Sequence, residues 1–259
     1  ILVMSWPFGI AMGQVGHAWI AQVYGWQVPF QVASVYCLLA ALGVFLYYRS
    51  PHDLPPVKGG PDAVLTGQEW RLVLCAAAAW GVFNAGYVTY LSFGPKVLED
   101  LGQSAIAAAS IVSIGSWLMI LSGAACGQVV DHFGRRNLVL IICMAGAVVS
   151  LMLLGVQGAG LGASVLFGLI GMAPAGVIMA MAGQAMRPEV RAFGMGIFFT
   201  IYYTIMLVMP PAAGAILDAT GKAQGPIWLA IVLFASVIPL GIAFQYFRSK
   251  PLAGVERKV

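Results

Sequence analysis

A carboxylate, two arginines and two glycines stand in fixed spacing at Gly127-Gln128-Val129-Val130-Asp131-His132-Phe133-Gly134-Arg135-Arg136, in a chain of which only 8% is charged. Neither glycine carries a Cβ, so Gly127 allows backbones to approach and Gly134 allows a tight turn. Asp131 suits the positive end of a helix dipole, while Arg135 and Arg136 suit an anionic lipid surface or a carboxylate partner. Elsewhere the groups able to do chemistry are uncharged. Asn84 and Tyr87 lie one turn apart in one apolar run, and Ser113, Ser116 and Trp117 lie in the next. Thr200, Tyr203 and Thr204 share a helix face by i, i+3 and i+4 spacing, and Gln14 and His17 share another. Such groups can present donors and acceptors to a polar solute near a bilayer midplane. The plainer alternative is interhelical glue, worth on average about 0.6 kcal/mol per hydrogen bond, or a serine bonding its own helix backbone. An imidazole at His17 could carry a proton, although a lone intramembrane histidine is more often a packing or interface residue. No Lys, Arg, Asp or Glu lies deep within an apolar run, so the usual marks of an ion pathway are missing from these stretches.

Helices that cross a bilayer must position these residues. Of the 259 residues, 61% are hydrophobic, far above soluble domains, and about 20 apolar residues make a spanning helix. Eight runs qualify: Ile1 to Val23, Val28 to Tyr48, Leu72 to Phe93, Ser104 to Cys126, Leu138 to Val156, Leu161 to Ala185, Ala192 to Leu217 and Ile227 to Phe247. The fold class expected is an all-α polytopic membrane bundle. Of the 13 basic residues, eleven fall in one alternating set of connections and only Lys96 and Lys222 in the other. The positive-inside rule turns the first set, with the C-terminus, toward the cytoplasm. Residues 49–70, with Pro55-Pro56 and Gly59-Gly60-Pro61, read as a cytoplasmic linker between 1–48 and a bundle over 71–248, leaving 249–259 as a tail. Cys37, Cys75, Cys126 and Cys143 have no paired spacing and suggest neither disulfides nor a metal site. The charge pattern gives no reason to expect nucleic acid.

The spacing Gly-x-x-x-Asp-x-x-Gly-Arg-Arg resembles the signature loop of the major facilitator superfamily. It departs at His132, where the family usually has a permanent cation. Pro188-Glu189-Val190-Arg191, then Gly194, Gly196, Pro210-Pro211-Ala212-Ala213-Gly214, Asp218 and Gly221, are similar to the family's tenth loop and eleventh helix. A weak repeat lays Ala21–Pro29 beside Leu217–Pro226, each a helix end, a turn and a new helix. The resemblance implies two six-helix halves, with the eight runs as helices five to twelve of twelve and the chain a fragment of a longer protein, monomeric when full length. It implies a transporter in a bacterial inner (plasma) membrane, moving a small molecule by alternating access, with or without a coupled proton or ion. Gly127, Asp131, Gly134, Arg135 and Arg136 would form a conformational latch, and Asn84, Tyr87, Ser116, Trp117, Tyr203, Thr204, Gln14 and His17 are the candidates for the substrate cavity. Neither a metal-ligand cluster nor a nucleophile and base pair suggests an enzyme, and no cofactor is expected. The rival reading is a membrane sensor that binds without transport, or an inactive transporter fragment.

Overall fold

The computed structural model describes residues 5–49 and 64–249, and every regular element in it is a helix. The longest, α3, runs Gly67–Asp100. It begins more than a turn before Leu72, because capping chemistry and not apolar content sets a helix start. Thr66 Oγ1 accepts the Glu69 N–H at 3.3 Å, and the Glu69 carboxylate accepts the Thr66 N–H at 2.8 Å, a reciprocal capping box. Helix α4, Ala105–Phe133, starts on the Ser104 cap and stops at Gly134, whose φ of +66° is the left-handed conformation glycine adopts without strain. Helix α5 is Arg136–Leu154.

The next crossing is broken. It comprises α6, Gly160–Leu166, a π turn over Phe167–Gly171, and α7, Ala175–Gln184. Pro174 has no N–H to give Ile170 and its ring crowds that carbonyl, so Ala173 N–H reaches Ile170 O instead, at 3.3 Å. After a 3₁₀ turn at Pro188–Val190 come α8, Arg191–Thr220, and α9, Gln224–Ser249. Toward the N-terminus lie α1, Ser5–Tyr24, and α2, Val28–Tyr47. The α1–α2 and α8–α9 turns each hold a glycine at positive φ, Gly25 and Gly221, and a proline opens the helix after each. Those are the two stretches whose sequences run parallel.

Helix α3 forms the axis of the structure, packing on α9, α8, α4 and α7. Its Phe83 meets Phe234 edge-on at 5.6 Å, and Tyr90 lies 4.1 Å from the Phe167 ring of the π turn. Small residues let the neighbours close in: Gly168 lies directly on the α4 backbone at Gly115. By contrast α1 touches α4, with Phe8 edge-on to Trp117 at 5.6 Å, and α2 buries only Pro29. Seven segments among the described residues are long and apolar enough to cross a membrane. The eighth run, α1, has 20 described residues but is diluted by Gln14, His17 and Gln22.

Candidate solute wall and polar ties

Up-and-down connection brings the starts of α3, α5 and α8 and the ends of α4, α7 and α9 to one end of the molecule, together with Arg71, Arg135, Arg136, Arg187, Arg191 and Arg248. This is the basic end. Halfway along α3 sits Asn84, 1% exposed. Its Nδ2 donates to Trp80 O at 2.8 Å, one turn back, while its Oδ1 accepts no hydrogen bond among the described residues. A buried amide oxygen left so costs about 1–3 kcal/mol, and native proteins seldom tolerate that without a purpose. Trp80, half-buried, stacks on Phe83 at 6.0 Å and tilts against Tyr202 at 6.4 Å. Tyr202 continues to Tyr203 and Phe199, so an aromatic strip runs from α3 onto α8. Tyr203 is 62% exposed. Thr200 and Thr204 are exposed beside it, their hydroxyls donating back to Gly196 O and Thr200 O at 2.9 and 2.8 Å. Only Gly194, Phe198 and Ala213 of α8 are buried, which leaves this strip an open wall.

The other midplane candidates divide. Tyr87 and Ser116 come together, their hydroxyls 2.6 Å apart in the packed interior between α3 and α4. That is the geometry of glue. Ser113 donates to Ser110 O in its own helix at 2.8 Å. Trp117 is turned outward onto α1. His17 is exposed on α1, and the Gln14 side chain lies outside the described residues.

At the basic end the helices are tied by polar contacts that sequence reasoning missed. Glu69, nearly buried, accepts Arg187 Nε at 2.9 Å, Arg187 N–H at 3.0 Å and Arg187 Nη2 at 3.2 Å, besides its contacts to Thr66. The carboxylate holds the Arg187 guanidinium above its ordinary pKa. One fork thus fastens the start of α3 to the loop before α8. Gln68 Nε2 donates to Phe247 O at 2.9 Å, and the Arg71 guanidinium lies 5.7 Å over the Phe247 ring, fixing α3 to the end of α9. Arg136 and Arg248 both donate to Gln184 Oε1, at 2.6 and 2.7 Å, joining α5, α9 and α7. The Thr66-x-x-Glu69 spacing announced the cap. Nothing in the sequence announced that Arg187 would share its carboxylate.

A family model described as the Major Facilitator Superfamily matches the chain over residues 1–203 and again over 86–258, together nearly its whole length. The chain belongs to the major facilitator superfamily. It is therefore an integral membrane protein of a family of small-solute transporters. Among curated proteins none matches. In this superfamily member the signature loop is a short helix-to-helix turn. Gly134 makes it with its left-handed φ, and Asp131 and Arg135 are exposed on it. Gly127 differs from expectation: no atom lies within 4 Å of where its Cβ would stand, so it makes no close approach among the described residues. The same holds for Gly9 on α1, and Gly13 meets only His17 of its own helix.

Proposed function

We propose that the chain supplies one wall of the solute path of a secondary transporter working by alternating access, its basic end toward the cytoplasm. The observation that carries the reading is Asn84, a buried amide at mid-helix with a free acceptor, beside an aromatic and hydroxyl strip that α8 leaves uncovered. Asn84 binds the solute, Trp80, Tyr202 and Tyr203 offer it flat apolar surface, and Tyr87 and Ser116 hold α3 to α4 behind the wall. Residues 67–248 act as one bundle, 49–66 as its cytoplasmic linker, shorter than the 49–70 expected because α3 starts at Gly67, 1–48 as part of the opposing bundle and 249–259 as a tail. Asp131, with Gly127, Gly134, Arg135 and Arg136, forms the latch between bundles, seated on a helix end across the interface when the cytoplasmic side is shut. An uncharged wall suits a neutral or weakly polar solute.

Cells producing the full chain are screened for accumulation of labelled solutes against cells carrying an empty vector. For a solute that accumulates, Asn84→Ala lowers uptake about tenfold, the loss of one good hydrogen bond of about 1.4 kcal/mol. The amount of folded protein and its Tm stay unchanged. Equal losses of uptake and folded protein would return Asn84 to a packing role.

A further inference from the structure

Two guanidinium groups share one neutral oxygen at the basic end. Arg136, first residue of α5, and Arg248, in the last turn of α9, both donate to Gln184 Oε1, at 2.6 and 2.7 Å. Their Nη1 atoms therefore lie within about 5 Å of each other, where like charges repel appreciably at a protein surface. An amide oxygen can align two arginines but cannot neutralise them. Arg136 and Arg248 form no ion pair among the described residues. The one carboxylate close enough to act on Arg136, Asp131, makes no salt bridge with it. Of the other acids at this end, Glu69 is already filled by Arg187 and Thr66, and Glu189 in the 3₁₀ turn acts on Arg187.

Beside the pair, Gly134, Arg135, Arg136, Asn137, Leu138 and Gln245 line a cleft of about 360 Å³. Its walls come from the α4–α5 turn, the first turn of α5 and the α9 face one turn before Arg248. The N–H groups of Arg136, Asn137 and Leu138 have no acceptor among the described residues, adding donors to those of the side chains. The residues lining this cleft bring donors and positive charge from separate elements, with no carboxylate among them.

We propose that the cleft lined by Arg135 and Arg136, next to the Arg248 that Gln184 ties to Arg136, binds a phosphate group. Guanidinium forks match phosphate oxygens in pairs, and two of them in the cleft with a third alongside suit a tetrahedral anion better than a flat carboxylate. The position at the membrane face admits two sources of the same chemistry: the headgroup of an anionic phospholipid, or a soluble phosphate. Gln184 is then the positioning residue, holding both arginines toward the ligand. The binding is independent of any solute path, and its test has no transport readout.

The full chain is placed in nanodiscs of phosphatidylcholine, with or without about a third of phosphatidylglycerol, and melted in chloride or in inorganic phosphate at matched ionic strength. Wild-type Tm rises by a few degrees, about 2–4 °C, in one or both of these additions. A rise with phosphatidylglycerol alone assigns the site to a lipid headgroup; a rise with inorganic phosphate in the phosphatidylcholine discs assigns it to a soluble anion. Arg248→Gln reduces the response and lowers the apparent affinity for the active addition about tenfold. Gln184→Glu keeps the shape and sets a carboxylate between the arginines; it raises Tm without any addition and abolishes the response. The proposal is overturned if wild type responds to neither addition, or if Gln184→Glu and Arg248→Gln respond as wild type does.

Discussion

Alanine at Gly168 tests the glycine that sits tightest against a neighbouring backbone among the described residues. A Cβ there would stand 2.5 Å from Gly115 O, 2.8 Å from Gly115 Cα and 2.8 Å from Leu118 Cβ. Carbon contacts settle at about 3.5–4.0 Å, so α4 must retreat from the π turn by roughly 1 Å. Backbone cannot rotate away as a side chain can. The retreat stretches the bond from Ser122 Oγ to Gly168 O, now 2.6 Å, and loosens Tyr90 on the Phe167 ring. Overpacking costs about 1–3 kcal/mol and an interhelical hydrogen bond in a membrane about 0.6, so the variant should lose roughly 2–4 kcal/mol. At about 2–4 °C per kcal/mol for a chain of this length, Tm falls by roughly 5–15 °C. Fluorescence of the seven tryptophans during heating in detergent reads the change. Gly162 on α6 is the control, because no atom lies within 4 Å of its Cβ position. Gly162→Ala should leave Tm within about 2 °C of wild type. The reasoning fails if Gly168→Ala melts with wild type, or if the two alanines are equally harmful.

Thr66→Ala removes the cap of α3 and should cost about 0.5–2 kcal/mol. Hydrogen exchange at Gln68 and Glu69 should rise with it, and unchanged protection would show that the fork to Arg187 holds the helix start by itself. Tyr87→Phe removes the hydroxyl contact to Ser116, for which a loss near the membrane average of about 0.6 kcal/mol is expected. Thermal unfolding measures it. A drop several times larger would mean the hydroxyl does more than hold α3 to α4.

Apolar run length locates the helices well, because a bilayer demands it, and the alternation of basic loops matches the end at which the arginines gather. Helix starts are harder. Leu72 is where hydropathy rises, but Thr66 and Glu69 open the helix, and a capping box is a signal of local hydrogen bonding that apolar content cannot carry. The break at Phe167–Gly171 is half legible: Pro174 is plain in the sequence, yet a proline in a membrane helix fixes neither where the π turn falls nor which carbonyl is shielded. Side-chain partners are least legible. Tyr87 and Ser116 both stand out as polar groups in apolar runs, but whether two helices point such groups at one another or at a cavity depends on rotation about their axes. A helix that is apolar on every side carries no polar stripe to set that rotation. Arg187 and Glu69 are 118 positions apart, and only the folded connection makes them neighbours.

The packing of α3 on α9 bears on how the protein is made. The ribosome delivers α3 well before α9, so the axial helix, carrying Asn84, Tyr87, Thr89 and Tyr90, enters the lipid long before its most extensive neighbour exists. Thr89 can satisfy itself on Ala85 O within its own helix, at 2.8 Å, but the Tyr87 and Tyr90 hydroxyls also meet groups on later helices, Ser116 for the first and Val112 O and Ser164 for the second. Until α9 emerges and Phe234 closes over Phe83 and Phe167, the nascent bundle is an assembly intermediate with an open flank. A chain stopped after α8 would expose that flank permanently to membrane proteases, which makes the α9 crossing the step that commits the bundle to its fold.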